Sequence, residues 1–363
     1  LDEVVISIPF NESKKNNIIN VTKVSVDLDN PLMFQQISKS IENIPGVSFM
    51  TTGPGISKPV IRGLSGNRVV VYNQGIRMEN QQWGDEHSMG VSGSGISSIE
   101  VIKGPMSILY GSDAIGGVIY TVPEEYTKDD GTKIDLSTAY NSNYQGTTAN
   151  IGVKGGSNDL KYIIRGNMTD NGNFNTADEE VENTFLEEKD IKVALGYSTK
   201  SYESNFRMNM TETIAGIPHE EEHHDEDHED GDDEDEDEDH DDHEEEGEAY
   251  IETENMILSW ENIFNFSDSE LNVKLGYSNN ILREYGEHEE HEEDHEDGDE
   301  DGDEDDDDHD DHEGAHLDMG LKTTSLDLKY SLPKLENLET IIGATILSQE
   351  NKNHGEEMLI PDA

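Results

Sequence analysis

The sequence predicts a small α+β domain enclosed by an antiparallel transmembrane β-barrel, of which about nine strands are present. Three observations predict it. The first third mixes one helical stretch with short β runs divided by glycines. Beyond Lys133 apolar residues recur at every second position, and the connections between the later runs alternate between tight turns and long polar loops. No run of about 18 apolar residues occurs, which excludes a membrane-spanning helix. A barrel wall crosses the bilayer with alternating strands that escape a hydropathy search.

The formal charge is -59 at pH 7, a value usual for disordered acidic chains until its distribution is considered. Residues 219–248 hold 22 Asp/Glu and 6 His, residues 287–314 hold 20 Asp/Glu and 5 His, and neither tract contains Lys or Arg. Elsewhere 41 acids face 24 basic residues, an ordinary balance. A chain this negative repels phosphate and its basic residues form no stripe, so nucleic acid is excluded and cations are the natural partners. The absence of cysteine rules out disulfides and thiolate ligands, leaving nitrogen and oxygen to hold any metal. No nucleophile, base and orienting group stand together in a catalytic motif, so the reading is of a non-enzyme. No signal peptide precedes Leu1, which reads as the start of a processed or trimmed chain.

Asp2, Glu3, Val4, Val5, Ile6 and Ser7 make a short β-prone run, followed by a polar stretch through Asn20. Leu32, Phe34, Ile37, Ile41 and Ile44 are spaced as one face of a helix that Pro45-Gly46 ends. Short β runs follow at residues 59–63, 68–72 and 99–105. Glycines crowd between Gly84 and Gly117, as expected of a compact unit whose backbone turns tightly inside something larger. The domain boundaries read as 1–10, 11–125 and 126–363.

The alternating runs fall at residues 133–141, 146–155, 160–169, 189–199, 202–213, 251–265, 270–282, 318–332 and 338–350. Tight turns lie at residues 156–159, 200–201, 267–269 and 333–337, and long loops at 170–188, 214–250 and 283–317. Outer-membrane barrels have short periplasmic turns and longer extracellular loops, so both acidic tracts are expected outside the cell. Nine is odd, whereas bacterial single-chain barrels close with an even number, so further strands are expected. The ending Ile360-Pro361-Asp362-Ala363 would fall in another outer loop.

Asn43-Ile44-Pro45-Gly46-Val47, Ile61-Arg62-Gly63, Asn67-Arg68-Val69-Val70-Val71 and above all the stretch from Ile99 to Val118 resemble, in that order, the plug signature of TonB-dependent receptors. Gln74-Gly75 stands where that family usually has Asp-Gly, and Tyr120-Thr121-Val122 replaces the commoner Asn-Ile ending of the last plug strand. The resemblance implies an α+β plug domain inside an antiparallel transmembrane β-barrel of about 22 strands. It further implies a monomer in the lipid of the outer membrane of a Gram-negative bacterium. Residues 2–7 resemble the TonB box, through which the family couples to the TonB energy-transducing complex.

Twelve of the fourteen histidines lie between His219 and His316, among carboxylates. Imidazole with carboxylate suits zinc, with copper, nickel and cobalt as competitors. The candidate ligands are His219, His223, His224, His228, His240 and His243 in the first tract, and His288, His291, His295, His309, His312 and His316 in and beside the second. The tracts repeat each other: Asp227-His228-Glu229-Asp230-Gly231-Asp232 recurs as Asp294-His295-Glu296-Asp297-Gly298-Asp299, which suggests a multivalent collector. Bound cation would relieve the repulsion between carboxylates and order the loop, and proton competition would weaken collection as pH falls. Two blander readings stand beside this one. A solvated acidic loop explains the acids but not the histidines, and Asp297, Asp299, Asp301, Gly302 and Asp308 match a calcium loop only loosely.

Asp85, Glu86 and His87 stand apart from the tracts. They read either as an ordinary surface loop or as a crown on the plug, and the stretch resembles the apical metal-site loop of the zinc-receptor branch of the family. His354, with Glu356 and Glu357, sits at the mouth of the next outer loop. The resulting expectation is import of a divalent transition metal, foremost zinc, as cargo and not as a catalytic cofactor. The alternative is a receptor for a siderophore, haem or other metal chelate, with the acidic loops a secondary feature. A surface protein that merely buffers metal would need neither box nor plug.

Overall fold

In a computed structural model of the chain, the described residues are 21–26, 37–53, 55–83, 89–128, 130–177, 179–218, 249–286, 315–333, 335, 338, 340–355 and 362. The TonB-box-like residues 2–7, the apical residues Asp85, Glu86 and His87, and both acidic tracts lie outside them.

The first unit is built on a five-stranded sheet. It comprises β1 (Val21–Ser25), then after α1 (Ile37–Ile41) and the hairpin β2 (Val47–Gly53) and β3 (Ile56–Ile61), the strands β4 (Val69–Asn73), β5 (Ile76–Met78), β6 (Ile96–Ile102) and β7 (Gly117–Pro123). The order is β1-β6-β7-β4-β5, with β4 and β7 parallel and the other neighbours antiparallel. β-Branched residues make these strands, and their buried faces (Val69, Val71, Ile96, Ile99, Val101, Ile119) share one apolar core with Ile37, Ile41 and Ile44.

Leu32 and Phe34 lie outside the described residues, and the helix stops three residues before the Ile44 that its spacing includes. It ends at Ile41, and Ile44 N–H turns back to Ile41 O at 3.0 Å, because the residue before Pro45 is driven out of helical geometry. Ile44 still reaches the core, which is why the apolar spacing continues past the helix. β1 and β2 were not anticipated, since polar residues interrupt both.

The second unit is a nine-stranded antiparallel sheet with the expected count. Its strands are β8 (Gly131–Asn141), β9 (Gly146–Ser157), β10 (Leu160–Asn171), β13 (Leu186–Ser198), β14 (Tyr202–Gly216), β15 (Tyr250–Asn265), β16 (Glu270–Tyr285), β17 (Leu317–Ser331) and β18 (Ile341–Asn353). Several run two or three residues beyond the predicted ends, toward the long loops, where the backbone ladder continues after the apolar alternation has faded. The long loop between β10 and β13 holds a small unforeseen hairpin, β11 (Phe174–Asn175) with β12 (Glu180–Val181).

The alternation is inverted relative to a soluble protein. On β10 the buried residues are Ile163, Arg165, Asn167, Thr169 and Asn171, and Ile164 and Met168 are exposed. On β13, Asp190 and Lys192 are buried and Ile191 and Leu195 exposed. An apolar outer face with a polar inner face is the pattern of a wall set in lipid. Tyr197, Tyr202, Phe264 and Tyr330 gather near the short turns, with Tyr202 and Phe264 ring centroids 5.0 Å apart, as an aromatic girdle at one interface. At the opposite rim the strand ends carry ion pairs instead: Arg283 with Glu254 at 2.8 Å and with Glu252 at 3.4 Å, and Lys189 with Glu212 at 3.8 Å.

Candidate functional site

The rim opposite the girdle receives all the long loops. β14 ends and β15 begins there at Gly216 and Tyr250, β16 ends and β17 begins at Tyr285 and Leu317, and the rings of Tyr250 and Tyr285 stack at 4.6 Å. The chain thus enters and leaves both acidic tracts on one side of the wall. Asn183 closes the neck of the first tract by donating through Nδ2 to Ile217 O and Ala249 O, both at 2.7 Å.

The flanks of the apical segment point the same way. Trp83, the residue before Gly84, is 2% exposed and packs with Ile56 against Leu186, Ala215, Ile251, Leu282, Leu317, Met319 and Leu321, at or close to the long-loop ends of β13–β17. Gln81 Nε2 donates to Met89 O at 3.0 Å and to Asn80 Oδ1 at 3.1 Å, tying the entry of the segment to its exit. Of the predicted ligands, two are described. His316 Nε2 bonds Gly286 O at 2.6 Å across the neck of the second tract, and His354 N–H donates to Asp318 O at 2.8 Å beside it. Among the described residues no group of three or more His, Asp or Glu is poised around a metal.

Below the rim the inner face of the wall meets the first unit through buried charges that the sequence reading missed. Arg165 donates through Nε to Glu124 Oε2 at 2.9 Å and through one Nη to Asp135 Oδ2 and Asn150 Oδ1, both at 2.7 Å. Lys154 Nζ adds a second cation to Glu124 at 2.6 Å. Lys192 Nζ donates to Ser92 O at 3.1 Å and to Ser94 O, with Asp190 at 3.7 Å. Arg207 donates to Glu124 O at 3.3 Å and stacks 4.9 Å over the Tyr126 ring. Buried charges survive only with such partners, so these bonds fix where the first unit sits in the wall. The signal was present: Arg165, Asp190 and Lys192 share the parity opposite to Ile164, Ile191 and Leu195.

Within the first unit, Arg77 bonds Asp113 at 2.6 Å and Glu79 at 3.0 Å. The Arg77 hydrogen bond holds the Asp113 carboxyl below the usual aspartate range, whereas burial pushes Glu79 up. Burial likewise pushes the Tyr72 phenol up to about 12.

A glycine-rich domain wedged into an outward-apolar, inward-polar wall defines a plugged transmembrane barrel. Residues 13–118 match the TonB-dependent Receptor Plug Domain, and the plug with its nine-stranded wall has the fold of part of the plugged barrels of the Gram-negative outer membrane. It is 31% identical over 117 residues to the vitamin B12 transporter BtuB of Photobacterium profundum, covering 32% of this chain and 19% of that one. It is 44% identical over 84 residues to the heme/hemopexin utilization protein C of Haemophilus influenzae, covering 23% and 11%. In structure it resembles the ferric yersiniabactin uptake receptor FyuA of Yersinia pestis with a TM-score of 0.62 and 13% identity, a likeness of fold that covers 93% of this chain and 49% of that one. The chain therefore spans about half the length of that receptor.

Proposed function

We propose that the chain is part of an importer that draws a metal-bearing nutrient across the outer membrane, energised through residues 2–7 by the TonB complex. The observation that carries this reading is the plug itself, seated in the wall by buried ion pairs and flanked at one rim by every long loop. The named relatives take up or use vitamin B12, heme and ferric yersiniabactin, and they favour a chelate as cargo. On this reading the acidic tracts collect or solvate cations beside the chelate.

One observation favours a bare ion, foremost zinc. Histidine is concentrated in the tracts, twelve of fourteen residues between His219 and His316, and a merely solvating tract has no use for imidazole. Capture would then fall to the tracts, with Asp85, Glu86, His87 and His354 completing the shell.

The two cargoes separate in one experiment. Cells producing the full-length receptor are offered zinc chloride, haemin, cyanocobalamin or a ferric siderophore, with variants lacking 219–243 or 288–316, or carrying His87→Ala. Zinc uptake lost in the variants supports the ion, and uptake of one chelate that survives in all of them supports the chelate. Energy-dependent uptake of none of the four would remove the import reading.

A further inference from the structure

The inward charges of β13 do not balance. Glu188, Asp190 and Lys192 follow one another at every second position of the strand, two carboxylates to one ammonium. Glu188 is half-buried, and Asp190 and Lys192 are 1% and 6% exposed. Lys192 faces both acids, and Ser92 and Ser94 of the plug stand against Glu188 and Asp190 respectively. The other inward cations nearby already have acids of their own. Arg165 and Lys154 are matched by Glu124 and Asp135, and Arg207 and Lys274 face Glu261 and Asp327. Around β13 one negative charge is therefore left without a counterpart among the described residues.

Hydrogen bonding leaves a gap at the same place. Asp190 Oδ2 accepts from Thr211 Oγ1 at 3.1 Å and lies 3.7 Å from Lys192 Nζ, whereas Asp190 Oδ1 is buried without a partner. Asn167 of β10 stands directly opposite Asp190 in the ladder. It is 6% exposed, its Nδ2 donates to Glu188 Oε1 at 3.4 Å, and its Oδ1 is likewise buried without a partner. Directly opposed side chains on antiparallel strands start about 5 Å apart, so the two bare oxygens border one space, with the Glu188 carboxylate in the adjoining row. Lys192 does not fill it, because its ammonium is engaged with Ser92 O and Ser94 O.

Buried oxygens that only accept call for a donor or a cation, and a buried excess charge calls for a countercharge. Water would answer the first need and not the second. We infer that Asn167, Glu188 and Asp190 bind a small monovalent cation such as sodium, at the seam between the plug segment Ser92–Ser94 and strands β10 and β13. An amide oxygen with carboxylates is a hard, all-oxygen ligand set, suited to alkali and alkaline-earth ions and unlike the imidazole-rich tracts. One positive charge closes the local balance, whereas a divalent ion would reverse it. Since the plug covers the ion and the wall ligates it, occupancy clamps the two units together whatever the cargo.

The test uses the full-length receptor in detergent, with its thermal midpoint read in sodium chloride and in choline chloride at equal ionic strength. Raising sodium from about 1 mM to about 300 mM should lift the parental midpoint by several degrees, as for any ligand bound by the folded state alone, and choline should not. Asp190→Asn and Glu188→Gln each remove the excess charge and keep the shape, so the sodium-dependent rise should shrink at least about threefold in both. A parental midpoint equal in the two salts overturns the site. A midpoint that follows pH and not sodium also overturns it, because a proton then carries the missing charge. Stabilisation by calcium chloride with none by sodium overturns the monovalent assignment. Should the variants fail to fold, crystals of the parent soaked in thallium(I) acetate decide. Anomalous density bordering Asn167 Oδ1 and Asp190 Oδ1 supports the site, and its absence there overturns it.

Discussion

Arg165 is the residue on which most of the seam converges, since it alone joins the plug-side Glu124 to Asp135 and Asn150 of the wall. Arg165→Ala leaves the buried Glu124 with Lys154 alone, while Asp135, 44% exposed, turns to solvent; removing one partner of a buried pair destabilises by at most about 3–5 kcal/mol. The expected outcome is a lower thermal midpoint and faster proteolysis of the plug, measured in detergent. A midpoint unchanged from the parent would mean that Lys154 alone neutralises Glu124. Asp113 makes a pH-dependent contribution of opposite visibility. Its folded carboxyl is held low by Arg77, so its stabilisation is complete above the ordinary aspartate value of about 3.9 and is lost as pH falls through the lower folded value. Asp113→Asn should therefore weaken the plug at neutral pH and flatten its acid-side decline, read as thermal midpoint against pH. Residues of this kind were only half legible in the sequence. Parity marks Arg165, Asp190 and Lys192 as inward, but nothing local reveals that Glu124, 41 residues before Arg165, is the partner.

The elements were far more legible, because a lipid-facing strand must alternate over its whole membrane-crossing length and each of the nine does so independently. Where the constraint relaxes, legibility fails. β1 and β2 lie in a plug whose strands are buried on both faces or interrupted, and the alternation of β13–β17 fades at the rim although the hydrogen-bond ladder continues. The loop necks show the same independence of element from loop. β14 and β15 pair up to Gly216 and Tyr250, and Ile217 N–H bonds Ala249 O at 3.0 Å, so the hairpin closes before the first tract begins. Replacing residues 219–248 by a short Gly/Ser linker should leave barrel assembly and thermal midpoint nearly unchanged, since loop length enters closure entropy only logarithmically. Asn183→Ala should do the reverse, costing about 1–3 kcal/mol by stripping two carbonyls of their donor while leaving cation binding by the tract intact. Heat-modified gel mobility and zinc titration of the two variants check both halves, and a linker variant that fails to assemble would show that the tract has a folding role.

At the scale of the whole molecule the plug meets charged groups on both sides of the wall, Arg165, Lys192 and Arg207 on β10–β14 and, on β16, Lys274, which pairs with Glu261 of β15 at 3.2 Å and lies against Gly75 of the plug. Long-range placement of this sort depends on how two separately legible units dock, and Lys192 with Ser92, 100 residues apart in sequence, illustrates why local pattern could not supply it. If uptake requires the plug to part from β16, it need not part from β9. The protein has no cysteine, so engineered pairs report cleanly. Ser94→Cys with Asn150→Cys joins plug to β9 where Asn150 Nδ2 already lies 3.1 Å from Ser94 Oγ, and oxidation there should leave uptake largely intact. Ile76→Cys with Gly276→Cys joins plug to β16, where a methyl at Gly276 would come 2.6 Å from Ile76 Cδ1, and oxidation there should abolish uptake until a reductant restores it. Transport blocked by the first pair and spared by the second would place the yielding side against β9 and β10 instead, with the buried Arg165 and Lys192 bonds broken in every cycle.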